Sequence, residues 1–299
     1  MKRRTLSALL AVFVTTAAAL LVSSQTVLVS AQNQGTQSQN GNREEAPPFY
    51  NPYPPGILPP DLPQEIERVR REVRFIENEA LAQWHALPPP TLTNQPPILA
   101  HTGQRANVLL GKLMNFDENI SPFKNRACGF CHMPYVGFSG SMPSVNLTMI
   151  AYPGSFPFRA GKRTAQRYTY SPSFPVLNYN DTQQAFFGGN FWDSRATGYL
   201  LGSPDEEQAQ GPPVDTQEMG FPDTACIAFR LSKAVYRPLF ELVWGADFHL
   251  RWPGDTEQIC ATPGGAARFG GNARTIRLSL EDRTKANNIY DHWGQSISK

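Results

Sequence analysis

Cys128-Gly129-Phe130-Cys131-His132 decides how this chain is to be read. Two thiols three residues apart, followed at once by an imidazole, form the attachment signature of a c-type haem. The chemistry dictates that spacing: each thiol adds to one vinyl group, and the adjacent His reaches the iron as its proximal ligand. The same residues also read as a thioredoxin-like redox pair, as two unrelated buried cysteines, or as half of a zinc site. Zinc needs further ligands nearby, and outside the motif no Cys or His falls between His101 and Cys226.

The N-terminus agrees with a covalent haem, which bacteria attach outside the cytoplasm. Lys2, Arg3 and Arg4 precede an apolar run from Leu6 to Val22, and Ala31–Gln32 is an acceptable cleavage site. Residues 1–31 are therefore expected to be a signal peptide. The alternative is a retained membrane anchor, since Leu6 to Val29 carries no charge and is long enough to span a bilayer. Either way the folded part is expected in the periplasm, free or tethered to the membrane. Removing the leader's three basic residues leaves 24 basic against 25 acidic side chains, a net charge of −1. With no basic stripe, nucleic acid is not expected as a partner.

Residues 32–62 read as a tether: Gln, Asn, Gly and Ser first, then Pro47-Pro48, Pro54-Pro55 and Pro59-Pro60. Residues 63–299 then form the folded domain, expected to be mainly α with long Pro/Gly-rich loops. Helical periodicity runs from Pro63 to Ala86, with Ile66, Val69, Val73, Ile76 and Ala80 on one stripe. The charges from Glu65 to Arg74 read as its solvated face. A second helix is expected over Gly103–Met114, with Val108, Leu109, Leu110 and Leu113 as core. From Met133 to Asp181 no period is sustained, so a loop is expected. Helices are expected again over Ser203–Gln210, Thr224–Trp244 and Ser279–Ser298, with a loop over Gly254–Asn272.

The segment Leu110-Gly111-Lys112-Leu113-Met114-Asn115-Phe116-Asp117, then Ile120-Ser121, the Cys128–His132 motif and Gly137-Phe138, resembles the first haem segment of the bacterial di-haem cytochrome c peroxidase and MauG family. Further similar stretches follow in the family's order. They are Ser171-Pro172-Ser173-Phe174-Pro175-Val176-Leu177-Asn178, Phe191-Trp192-Asp193-Ser194-Arg195-Ala196, Glu206 to Pro212 with Glu218-Met219-Gly220, and Tyr236 to Phe240 with Gly245-Ala246-Asp247. The likeness covers about residues 110–247 and implies a cytochrome c-like haem domain that reduces hydrogen peroxide. It also implies the roles. His132 is the proximal ligand of the peroxide-reacting haem, and Glu218 the distal carboxylate that takes a proton from the near peroxide oxygen and returns it to the far one. Desolvation over an apolar haem face tunes such a carboxylate towards neutral pH. Gln208 matches the distal glutamine that orients peroxide, and Trp192 a tryptophan between the two haems. On their residues alone, Glu218 and Gln208 also read as surface side chains, and Trp192, beside Phe191, as core packing. Arg195 either pairs with a haem propionate or braces the Asp193 loop. Asn178 matches a calcium ligand, although the family's remaining calcium ligands have no counterpart here.

Two departures bear on mechanism. Family peroxidases often carry a distal His after the first haem motif, and residues 133–248 contain none. Unless Met133, Met142 or Met149 ligates the iron, a vacant site is expected, as in MauG-like members. The family also has a second haem domain that receives electrons from a donor protein. No second CxxCH occurs here, and Thr284–Ser298 resembles the helix preceding that domain. A shortened or single-haem relative and a truncated gene both satisfy this, and electrons then enter from a small redox protein or other donor. Two alternatives remain open: a single-haem electron-transfer cytochrome, and MauG-like oxidation of a protein substrate. Cys226 and Cys260 are permitted a disulfide in an oxidising compartment, with lone buried cysteines as the competing reading. His249 and His292 read as surface or capped residues rather than axial ligands.

Overall fold

The first apolar stripe does what its spacing demands. Val69, Val73 and Ala80 are fully buried, and Ile66 and Ile76 pack at the edge of the core. They lay α1 (Leu62–Ala86) against α2 (Thr102–Phe116) and the 3-10 turn Cys128–Phe130. A computed structural model describes residues 62–86, 102–140, 142, 143, 145, 152–156, 159–161, 163–265 and 274–299. The leader or anchor, Met149 and all of the tether except Leu62 lie outside the described residues. No described helix is long and apolar enough to cross a membrane.

The fold is mainly α, as the sequence implies. After the motif come a small antiparallel hairpin, β1 (Asn178–Asn180) with β2 (Ala185–Phe187), and then α3 (Pro204–Ala209) and α4 (Gly211–Val214). The rest is α5 (Ala225–Leu231), α6 (Arg237–Trp244), α7 (Thr256–Cys260) and α8 (Leu280–Ile297). Ser279 caps α8, its hydroxyl accepting from Asp282 N. The buried side chains of α8, Ala286, Ile289 and Trp293, pack it against α2, α3 and α5. The approach of α2 to α8 requires Gly111, where a Cβ would overlap the Ser296 carbonyl. These elements enclose one core containing Leu110, Leu113, Phe221, Ile227, Leu239 and Phe240. A smaller cluster under α1 holds Phe116, Phe130, Met133 and Met142.

Several expectations are corrected. The charged face of α1 is not wholly solvated, because Arg70 and Arg74 grip the buried Glu118 at 2.9 and 3.3 Å. This ties α1 to the segment leading into the motif. Val108 is 47% exposed, since α2 turns that side outward. The expected helix Thr224–Trp244 is two: α5 ends at Leu231, a turn leaves Val235 exposed, and Pro238 sits in the first turn of α6, where a missing N–H costs nothing. The expected loop Gly254–Asn272 contains α7, and the loop before Asp181 ends in β1.

Helix α7 brings Cys260 to Cys226 on α5, and the two form a disulfide. Both residues are fully buried, and their pairing overturns the lone-cysteine reading. The bridge closes a sequence separation of 34 residues, which restricts the unfolded chain. Replacing both cysteines by Ala is expected to lower unfolding free energy by about 3–4 kcal/mol in denaturant titrations.

Asp223 is the other staple. Its Oδ1 accepts from Ala225 N at 2.9 Å and Arg283 Nη1 at 2.7 Å, and its Oδ2 from Ile276 N at 2.8 Å and Arg283 Nη2 at 2.9 Å. Burial alone would raise this carboxyl, but those bonds outweigh burial and hold it below the usual range. A depressed carboxyl contributes stability above its unfolded pKa of about 4 and loses it as pH falls through the lower folded value. Asp223→Ala should cost about 3 kcal/mol at pH 7, with the difference from wild type shrinking as unfolding is measured below pH 4.

Candidate haem site

The motif folds as a tight turn in which Cys131 N and His132 N both donate to Cys128 O at 3.1 Å. This turn puts both thiols and the imidazole on the wall of a cavity of about 450 Å³. Cys128 and Cys131 are free and half-buried, and the protein around them pushes both thiols up to about 12. A reactive redox pair is favoured by a depressed thiol, and burial here acts in the opposite direction. His132 is driven down to about 4 by burial, against the opposing carbonyls of Phe138 and Gln166. The imidazole is therefore neutral near pH 7. Its Nδ1 lies 2.9 Å from Phe138 O and donates to it, leaving the lone pair on Nε2. Two protonated thiols, a neutral imidazole fixed by a carbonyl and an adjoining cavity fit a covalent haem.

Segments distant in sequence complete the wall, together with the stretch from Tyr152 to Tyr168. Helix α3 brings Gln208, and the turn after α4 brings Gln217, Glu218 and Met219. Glu218 is held through its backbone, whose carbonyl accepts from Ser155 N at 2.8 Å. Beneath it Gly154 is required, because a Cβ there would overlap the carbonyls of Gln217 and Glu218. The loop Phe191–Arg195 brings Trp192 and Arg195 to the same cavity. The structure thus gathers Cys128, Cys131, His132, Gln208, Glu218, Trp192 and Arg195 around one space, over sequence separations that no local pattern encodes.

The details differ from the expectations at some positions. Trp192 is 66% exposed, which overturns the core-packing alternative and places it at the cavity rim. Arg195 Nη1 holds both Asp193 oxygens, at 2.8 and 3.0 Å, and its guanidinium lies 3.6 Å from the Phe191 ring centroid. It braces its own loop. Asn178 is exposed on β1 and donates to the Val176 and Phe187 carbonyls, away from the cavity. Met133 and Met142 are buried beside Phe130 and do not line the cavity. His249 is exposed beside Asp247, and His292 stacks on Trp244 at 4.4 Å between centroids.

The wall also contains residues that were not legible in advance, Tyr168, Met219 and Arg126 among them. Tyr168 stacks on His132 with centroids 4.0 Å apart and planes at 19°. It comes from a stretch without periodicity, and nothing local announces it. Met219 lines the cavity as the neighbour of Glu218, whereas the sequence directs attention to methionines nearer the motif. Arg126, two residues before Cys128, is only 5% exposed. A cation beside an attachment motif was the available signal.

The model of a family described as di-haem cytochrome c peroxidase matches residues 105–262. Methylamine utilization protein MauG of Paracoccus denitrificans (strain Pd 1222) is 27% identical over 147 residues, covering 49% of this chain and 36% of that protein. Its counterpart from Methylophilus methylotrophus is 32% identical over 139 residues, covering 46% and 33%. The chain thus spans about a third of the length of the curated relatives it matches. Among solved structures, the diheme peroxidase BthA from Burkholderia thailandensis E264 is 20% identical with a TM-score of 0.42, covering 70% of this chain and 41% of that one. With the family model matched across the motif and every distal segment of the cavity wall, the chain belongs to the di-haem cytochrome c peroxidase family.

Proposed function

We propose that this chain is an exported c-type haem oxidoreductase that reduces hydrogen peroxide in the cavity beside His132. The observation that carries the reading is the convergence of Gln208 and Glu218, ten residues apart, on the wall that holds the two free thiols and the neutral imidazole. Haem held by Cys128, Cys131 and His132 would supply the iron that binds peroxide and the electrons that cleave its O–O bond.

The chain's own residues supply proton transfer and orientation. The Glu218 carboxylate takes the proton from the near oxygen of peroxide and delivers it to the far one, so that the leaving group departs as water. The Gln208 amide offers a donor and an acceptor that orient the substrate. The Phe138 carbonyl keeps the His132 proton on Nδ1. Trp192, at the rim, is where electrons from a small redox protein or another donor would enter. The disulfide between Cys226 and Cys260 supports an oxidising compartment, and hence export to the periplasm.

Glu218→Gln should reduce peroxide turnover by roughly a hundred- to ten-thousand-fold while covalent haem content is retained. Unchanged turnover would remove the carboxylate from the mechanism. Gly154→Ala should act in the same direction, because the new methyl group displaces the backbone that carries Glu218.

A second reading, an electron-transfer cytochrome, is favoured by Met219 on the cavity wall. Ferric absorption spectra separate the two. A high-spin signature is expected for the peroxidase, and a low-spin spectrum with a Met–iron charge-transfer band belongs to the carrier.

A further inference from the structure

Arg126 has a charge that the proposed reaction does not use. Its side chain lies in the cavity wall, and the residue is only 5% exposed. Its Nε donates to Pro153 O at 3.2 Å, its Nη1 donates to Asn125 O at 2.8 Å, and its guanidinium lies 4.0 Å from the Phe130 ring centroid. These partners are neutral. Among the described residues Arg126 forms no ion pair, although other arginines of the domain do, including Arg70, Arg230 and Arg283. Burial pushes Arg126 down to about 10, which still leaves it charged at neutral pH.

Taking a guanidinium out of water costs several kcal/mol, and two carbonyls with an aromatic face return only part of that. A buried planar cation on a cavity wall matches a carboxylate, which it can bind through parallel N–H donors. The other two arginines on the same wall are less suited. Arg195 is bound to Asp193 through both carboxylate oxygens, and Arg163 stands 3.8 Å from the same Asp193. Both are more than half exposed on their side chains.

We propose that Arg126, rather than Arg195, is the positioning residue that pairs with a propionate carboxylate of the haem attached at Cys128 and Cys131. The inference rests on the haem reading given above but not on peroxide chemistry. The pair fixes the rotation of the macrocycle about its thioether links, and the buried cation favours the reduced state of the iron. It also keeps the propionate ionised, so that its protonation is not coupled to reduction near neutral pH.

The test uses the full-length haem-loaded protein and reads potential rather than turnover. The reduction potential of wild type is expected to be flat between pH 6 and pH 8, whereas Arg126→Gln should have a lower potential that falls with rising pH in this window. Arg126→Lys should restore most of the wild-type behaviour, and Arg195→Gln should leave it unchanged. A structural role alone would make the Lys and Gln variants equivalent. Identical potential–pH curves for wild type and Arg126→Gln, at equal haem content, would overturn the proposal. Carboxyl-labelled haem in the wild type gives a second measurement if the variants fail to fold. One propionate should titrate well below the ordinary carboxylic range by carbon NMR, and two ordinary titrations would overturn the pairing. Wild type without covalent haem would overturn this inference together with the reading beneath it, whereas normal potentials with no peroxide turnover would sink only the peroxidase.

Discussion

Pro153-Gly154-Ser155 is the seam on which the cavity depends. On one side Ser155 is tied to the strand of chain leading into the motif. Asn125 Nδ2 donates to its carbonyl at 2.9 Å, and its own hydroxyl donates to Asn125 Oδ1 at 2.8 Å. Arg126 adds a bond to the Pro153 carbonyl. On the other side Ser155 N holds the Glu218 carbonyl, and the bare Cα of Gly154 lets that backbone close down. Hydrogen bonds between loops thus join the motif's approach to the Glu218 turn, which is itself tied to α4 where Met219 N and Phe221 N donate to Pro212 O and Pro213 O. Helices supply the platform: α8 against α2, α3 and α5, clamped by Asp223 and Arg283. A platform of this kind can absorb small repacking, whereas the seam cannot, because its buried polar groups leave no slack for an unpaired donor.

This division explains what could be read in advance. The stripe of α1 and the caps of α8 follow local periodicity, and they fold where the pattern says. The haem motif is legible for a similar reason, since its chemistry is confined to five consecutive residues. Gln208, Glu218 and Trp192 were reached through their resemblance to family motifs, because nothing within ten residues of each declares a common cavity. Tyr168 and Met219 have neither a period nor a distinctive neighbour, and their positions follow from long-range loop packing. The disulfide was undecided for the same reason. Cys226 and Cys260 meet only because α7 forms inside a stretch whose Gly and Pro content argues for a loop. The charged face of α1 misled in the opposite sense: its arginines were assigned to water, and Glu118 claims two of them.

Burial sets the electrostatic character of the site. It keeps both motif thiols protonated and the His132 imidazole neutral, so the attachment residues carry no charge into the cavity. Of the arginines on the wall, Arg126 is the buried one, whereas Arg163 and Arg195 stand exposed beside Asp193. A buried cation on the wall favours an anionic group in whatever occupies the space beside it.

The fully buried bridge between α5 and α7 also sorts the chain's four cysteine sulfur atoms. Once Cys226 and Cys260 are joined, they are closed off from any electrophile, and Cys128 and Cys131 are the thiols still available at a cavity wall. Oxidation to a crosslink and the addition to a double bond that covalent haem would require thus fall to separate pairs, divided by depth in the protein.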